Sequence, residues 1–294
     1  MEKIFEKFRN KNFVILDGAF GTYIEKKGFK GITPEIANIE RPEIVEKIHL
    51  EYCESGSEII LTNTFGANRK ILNKKKIEDK FYNIIYKGVD IILKVKDKFK
   101  DIFIGGDIGP LGEFLQPYGD VGIKEAKEIF YEVGKVFGKT KVDFLVLETF
   151  QDIEELKIAY ETLKESTSFL IIPCLTFNLG KEYRTLMGQK VEEYIKWAEN
   201  NKISIVGSNC GLNSKEMLGL VEIMKDLTDL TLWIKPNAGK PRIVNGKIEY
   251  QENIDEFTEN CLKIVEKGVK FIGGCCGTTP SYIKNLKDVL IKFF

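Results

Sequence analysis

The chain has 294 residues, 43% hydrophobic and 30% charged, with 26 Gly and only 8 Pro. That composition is ordinary for a globular protein and excludes a collagen-like, disordered or disulfide-stapled chain. Lys and Arg total 44 and Asp and Glu also total 44, so no overall field favours nucleic acid or an anionic membrane.

The N-terminal MEKIFEKFRN mixes charge of both signs and lacks the apolar run of a signal peptide. No stretch approaches the roughly 18–20 apolar residues that span a bilayer. A soluble, cytoplasmic protein is expected, organised as one domain over residues 1–294. From there short β-rich runs alternate with longer amphipathic stretches. The candidate strands are Phe13–Leu16, Glu58–Thr62, Ile102–Gly105, Val142–Leu147, Phe169–Thr176, Ile203–Gly207, Thr231–Lys235 and Lys270–Gly274. Helical patterns fall between them, among others at Glu43–Ser55, Lys124–Lys139, Ile153–Glu165, Glu192–Asn201, Ser214–Leu227 and Ile254–Lys267. Pro280 suits the first turn of a closing helix. The lysine-heavy Asn73–Lys76 reads as a solvated loop or helix end.

Apolar strands alternating with helices imply parallel pairing with helices covering the sheet. Eight such units in under 300 residues match an α/β fold of the (β/α)8 TIM-barrel type. A doubly wound open sheet is the runner-up, weakened because no G-x-G-x-x-G follows the first strand and no Walker sequence occurs. In a barrel the site lies at the C-terminal ends of the strands. The segments there are rich in Gly and polar residues: Asp17–Thr22, Asn63–Asn68, Gly106–Pro110, Glu148–Phe150, Ser208–Gly211, Pro236–Gly239 and Cys275–Thr279.

Six cysteines and a single histidine, His49, narrow the chemistry. The lone His removes multi-histidine metal sites, and removes a Ser-His-Asp triad unless His49 itself serves. Cys53, Cys174 and Cys261 read as small buried hydrophobes. Cys210 follows the sixth candidate strand, and Cys275 and Cys276 follow the eighth, so the three thiols can converge over the mouth. Three thiolates there suit Zn²⁺ with one position left open; structural packing, or a strained vicinal disulfide, are the competing roles. Zn²⁺ on three thiolates carries net charge −1, a poor Lewis acid but one that deprotonates an incoming thiol. Thiol alkylation is the chemistry these residues favour.

The segments Asp17–Thr22, Leu61–Gly66, Gly207–Cys210 and Gly273–Thr278 resemble the homocysteine S-methyltransferase family from about residue 13 to 285. Gly106–Pro110, Glu148–Phe150 and Pro236–Pro241 look closest to the homocysteine-binding module of cobalamin-dependent methionine synthase. The resemblance implies a barrel holding zinc on Cys210, Cys275 and Cys276, with L-homocysteine sulfur as fourth ligand and methionine as product. It implies that Asp17 and Glu148 bind the substrate's amino group. Backbone N–H groups of Gly18, Ala19 and Phe20 would hold its carboxylate, with Thr64 and Asn209 nearby. No folate, corrinoid or activation module is expected in this chain. The expected methyl donor is therefore a methylcorrinoid protein delivered in trans, ahead of S-methylmethionine, S-adenosylmethionine or betaine. A non-catalytic homocysteine- or zinc-binding subunit of a methylating complex is the rival from outside enzymology. No decisive role is assigned to Asp107 or Asn237.

Overall fold

The computed structural model describes residues 6–178, 180, 182–244 and 247–294; the first five residues of the charged N-terminal segment lie outside them. The principal strands are β1 (Val14–Ile15), β2 (Ile59–Leu61), β3 (Phe103–Ile108), β4 (Phe144–Phe150), β5 (Ile171–Leu175), β6 (Ile205–Asn213), β7 (Thr231–Asn237) and β10 (Phe271–Ile272). β8 (Pro241–Val244) and β9 (Lys247–Tyr250) form a separate antiparallel hairpin that the strand pattern did not anticipate. The principal strands pair in the order β1-β10-β7-β6-β5-β4-β3-β2. A parallel bridge from Leu16 to Ile59 joins the two ends of that order. The result is the expected (β/α)8 barrel.

Local chemistry explains why each unit starts where it does. Asp152, Asn213 and Asn253 cap the helices Ile153–Ser166, Ser214–Leu227 and Ile254–Glu266, each side chain accepting from a first-turn N–H at 2.8–2.9 Å. Pro280 opens the helix Pro280–Phe293. The helix Arg69–Lys74 ends within the lysine-rich stretch, where Lys76 takes a φ of 57°. Among the described residues no helix is long and apolar enough to cross a membrane.

The apolar residues divide into two layers. The larger packs the helices onto the outer sheet face and includes Ile48, Val89, Phe130, Leu156 and Leu220. The smaller fills the barrel interior with Val14, Leu16, Phe144, Val146, Trp233 and Phe271 among others. Trp233 meets Phe144 edge-on at 5.9 Å and Phe271 at 5.5 Å. Phe8 packs on Phe103 and Phe271, at the starts of β3 and β10, and so closes the N-terminal end. A cavity opens at the C-terminal end, where the polar segments lie. Cys53, Cys174 and Cys261 are buried as expected.

Strands β3, β4, β6 and β7 run beyond their expected C-terminal limits. Asp107, Glu148 and Cys210 consequently sit on the strands themselves, as Lys235 does within its expected limits. Register shifts on β4 (between Leu147 and Phe150) and β6 (between Asn209 and Asn213) carry pairing through these polar segments.

The segment after β3 is anchored by Glu155, a buried side chain of the helix Ile153–Ser166 that follows β4, which accepts the Leu111 N–H at 2.6 Å. Burial pushes its carboxyl up to about 7, an effect only partly opposed by that hydrogen bond. The folded protein therefore retains a proton that the unfolded chain loses near the ordinary value of 4.5. Stability falls as pH rises through that window. Glu155→Gln keeps an acceptor without the charge and should remove this slope, on the order of 3 kcal/mol between pH 4.5 and 7. Denaturant titrations of both proteins at the two pH values check this; parallel profiles would contradict it.

Candidate active site

Two strand ends bring the sulfur atoms together. Cys210 adopts a left-handed conformation, φ 59°, in the β6 bulge. Its Sγ lies 3.9 Å from Cys276 Sγ, and the Cys210, Cys275 and Cys276 sulfurs all fall within 4.8 Å of one another. The Cys-Cys backbone is held from β7, with Cys275 N–H donating to Pro236 O (2.8 Å) and Ala238 N–H to Cys276 O (3.0 Å). Just before them, Gly273 is required by close approach: a Cβ there would stand 2.6 Å from the Asp17 carbonyl oxygen. A tetrahedral metal with bonds of about 2.3 Å to sulfur places its ligands roughly 3.8 Å apart. The trio's spacing fits such an ion.

The thiols resist ionising without one. Mutual hydrogen bonding, which Cys275 supplies in the lowering and Cys276 in the raising direction, combines with burial to push Cys210 up to about 12. Cys276 is likewise pushed up to about 12, Cys210 acting to lower it and Cys275 and burial to raise it. A thiolate here faces two sulfur neighbours, and a divalent cation reverses that balance.

Asn209 lies behind the trio and is fully buried. Its Nδ2 donates to Thr149 Oγ1 (2.8 Å) and stands 3.7 Å from Cys275 Sγ, while its Oδ1 accepts the Thr149 N–H at 2.9 Å. Thr149 also holds a left-handed φ, 61°. One amide thus ties together the strained ends of β4 and β6 and touches a metal-site sulfur. It does not line the cavity.

Beside the sulfurs lies a cluster of charge. Lys235, missed in the sequence because an apolar strand gave no reason to single out its last side chain, is buried with Nζ 3.0 Å from Asp17 Oδ1 and 3.0 Å from Glu148 Oε1. The Asp17 contact is a hydrogen bond; the Glu148 contact is an ion pair without hydrogen-bond alignment. Asp17 Oδ2 accepts the Leu61 N–H at 2.8 Å. Asp107 reaches the same cluster, and its Oδ1 is buried with no partner among the described residues. Burial, then the Glu148 charge, drives the Asp107 carboxyl well above the usual range. Burial also raises Glu148, against the pull of Lys235. Burial acts to lower Lys235, but Asp17 and Glu148 more than reverse this and hold it charged.

The segment Asp17–Phe20 is pinned between its neighbours. Gly274 N–H donates to Asp17 O (3.0 Å), Tyr52 Oη to Ala19 O (2.6 Å), and Ala19 N–H to Thr278 Oγ1 (3.0 Å). The Ala19 donor is therefore committed within the protein. Gly18 has no room for a side chain, since a Cβ would lie 2.8 Å from Thr278 Oγ1 and Tyr52 Oη. Thr64 is buried with its hydroxyl given to Asp107 O at 2.7 Å, and it does not line the cavity. His49 is fully buried against Phe20 (5.1 Å between ring centroids), and burial lowers it to about 3. It is neutral and lies off the cavity.

A cavity of about 390 Å³ joins these parts, lined by Asp17, Phe20, Asp107, Glu148, Lys235 and the three cysteines among others. It has a sulfur-rich wall and an acidic wall, at the C-terminal end of a (β/α)8 barrel. Residues 14–290 match the family model for homocysteine S-methyltransferase, and the chain belongs to that family. It is 28% identical to methionine synthase of Mycobacterium leprae (strain TN) over 94% of this chain and 24% of that protein. It is 27% identical to S-methylmethionine–homocysteine S-methyltransferase BHMT2 of Pongo abelii, covering 98% of this chain and 81% of that one. The chain thus spans about a quarter of the length of the methionine synthases it matches. Its fold is that of the metallated form of homocysteine methyltransferase MmuM from Escherichia coli, with a TM-score of 0.80 over 97% of this chain and 98% of that chain at 19% identity.

Removing the Asn209 amide leaves Cys275 and Thr149 without their shared support. Asn209→Ala should weaken the hold of the thiol trio on added Zn²⁺ by about 10–100-fold while the thiols remain. Competition with a metal chelator measures this; unchanged affinity would mean that the amide serves only the backbone.

Proposed function

We propose that this chain is a zinc-dependent homocysteine S-methyltransferase that makes methionine. The observation that carries the reading is the opposition, across one cavity, of a three-thiol wall fit for a metal and a buried acidic wall fit for an ammonium. Cys210, Cys275 and Cys276 would hold Zn²⁺. The ion, when bound, supplies an open coordination position that keeps an incoming thiol in its thiolate form at neutral pH.

The protein's own residues account for the rest. Asp17 and Glu148 receive the substrate ammonium. The Gly18 and Phe20 N–H groups have no protein acceptor among the described residues and belong to residues that line the same cavity, and they suit its carboxylate. With both head groups held, the side-chain sulfur is directed to the cysteine wall. Apolar surface from Phe20, Leu61 and Phe65 restricts water around it. The sulfur lone pair then forms the bond to methyl carbon as the methyl–donor bond breaks, its electrons leaving with the donor. Alignment of sulfur, carbon and leaving group lowers the barrier, and the attack needs no general base.

The donor in this reading is a methylcorrinoid protein acting in trans, in keeping with the similarity to methionine synthases. A small cationic donor is a second reading, favoured by the fuller coverage of BHMT2 and of the stand-alone MmuM barrel. Supplying each donor separately, as methylcorrinoid protein, S-methylmethionine, S-adenosylmethionine or betaine, decides between them. Failure of all four would leave a homocysteine-binding subunit.

Cys210→Ala and Cys276→Ala should each fall below about a tenth of a zinc per chain and lose turnover together. In the unmodified protein, X-ray absorption at the zinc edge should show three sulfurs becoming four on addition of L-homocysteine. Full turnover by either variant, or a metal shell indifferent to homocysteine, would overturn the assignment.

A further inference from the structure

We propose that Lys235 is a positioning residue for the amino-group subsite, holding Glu148 opposite Asp17 so that the cavity selects a thiol bearing an α-ammonium over one that lacks it. This rests on the reading of Asp17 and Glu148 as the ammonium's partners.

The geometry is specific. Lys235 leaves β7 just before Pro236, and its one nitrogen bridges carboxylates from β1 and β4 at 3.0 Å each. Those strands stand apart in the barrel order, so the bridge crosses the mouth. The two anchors differ in support. Asp17 is also fixed by the Leu61 N–H. Glu148, among the described residues, has Lys235 as its only polar partner. Among the described side chains lining the cavity Lys235 is also the only cation, against Asp17, Asp107 and Glu148 in the cluster and Glu25 and Glu35 elsewhere.

Two consequences follow. Without Lys235, Glu148 is a buried carboxylate beside two others with nothing to hold its rotamer or its charge. It would take up a proton and cease to be an anionic partner for a substrate ammonium. With Lys235 present, Glu148 stays oriented, and the cluster retains excess negative charge that one further cation can satisfy. The lysine is thus no competitor for the substrate head group; it fixes the frame into which that group fits. Among the described residues the Lys235 ammonium contacts Asp17 and Glu148 and makes no hydrogen bond to a cysteine, so the effect is confined to recognition of the amino group.

The test is calorimetric binding to the full-length, zinc-loaded protein, which needs no knowledge of the donor. L-homocysteine is compared with 4-mercaptobutanoate, the same thiol acid without its amino group. Lys235→Met should weaken homocysteine binding at least about tenfold, as expected for loss of a charge-assisted contact. The affinity for 4-mercaptobutanoate and the zinc content should stay unchanged, so the preference for the amino acid collapses. Lys235→Arg keeps the charge but replaces the single bridging nitrogen with a planar fork. It should lose preference in the same direction, and it decides the matter if the methionine variant does not fold. Undiminished preference in the folded variants overturns the role of Lys235. A wild-type protein that binds both thiols equally overturns the prior reading of Asp17 and Glu148.

Discussion

The mouth of this barrel is governed by charge that its own side chains do not fully neutralise. Asp17, Asp107 and Glu148 converge around one lysine, in a place from which water is largely removed. The Asp17 and Glu148 oxygens, each 3.0 Å from Nζ, lie within about 6 Å of each other. At an effective dielectric of about 20, like charges at that separation repel by about 3 kcal/mol. On the same cavity three thiols are packed closely in a buried place, and the net effect of burial and of their sulfur neighbours opposes the ionisation of Cys210 and Cys276. Both walls are therefore unfavourable as built and improved by an added cation. They call for different ones: a soft divalent metal suits sulfur, and an ammonium suits carboxylate.

Such an arrangement survives only where the surrounding backbone is overdetermined, and the barrel supplies that. Thr149 and Cys210 sit in left-handed conformations that cost non-glycine residues of order 1–3 kcal/mol each. Both lie in bulges at the ends of long parallel strands, and Asn209 joins them by its side-chain amide. The strain is thus shared across two strands and answered by hydrogen bonds that only this register permits. The apolar interior packed around Trp233 lies beneath and carries the stability that the mouth forgoes.

The fold was legible because its signals are local and repeated: eight apolar runs alternating with amphipathic stretches, several of them opened by a capping Asp or Asn. Convergence of Cys210 with Cys275 and Cys276 was legible too, since strand ends in a parallel barrel share one face. What escaped were features set by cross-barrel contacts. Lys235 ends a run that reads Thr-Leu-Trp-Ile-Lys, where a terminal lysine ordinarily turns to solvent. Only the presence of Asp17 and Glu148 across the mouth draws it inward. Asp107 was seen but given no role, because its partnerless oxygen has meaning only beside Glu148. Thr64 and Asn209 were expected near the substrate. Their hydrogen bonds show them turned to Asp107 and to Thr149 with Cys275, commitments that spacing along the chain does not encode. The hairpin β8–β9 was passed over because it interrupts the β/α alternation on which the strand assignment relied.

The two walls of the cavity are also mechanically one unit. Gly274, next to Cys275, donates to the carbonyl of Asp17; Thr278 accepts from Ala19 and donates to the carbonyl of Cys275. The peptide that bears the acidic anchor is thus hydrogen-bonded directly to the peptide that bears the thiols. Gly18 and Gly273 each lack room for a Cβ, which lets the two peptides approach this closely. The peptides that carry the two walls are therefore held at a set separation by hydrogen bonds. In the proposed reaction that rigidity has a direct use. A thiol amino acid whose length matches the gap satisfies both walls at once, and a shorter or longer one satisfies one at the expense of the other. Since the substrate's own head groups supply the binding, the reactive sulfur arrives already placed, and the entropic cost of alignment is met before the methyl group approaches.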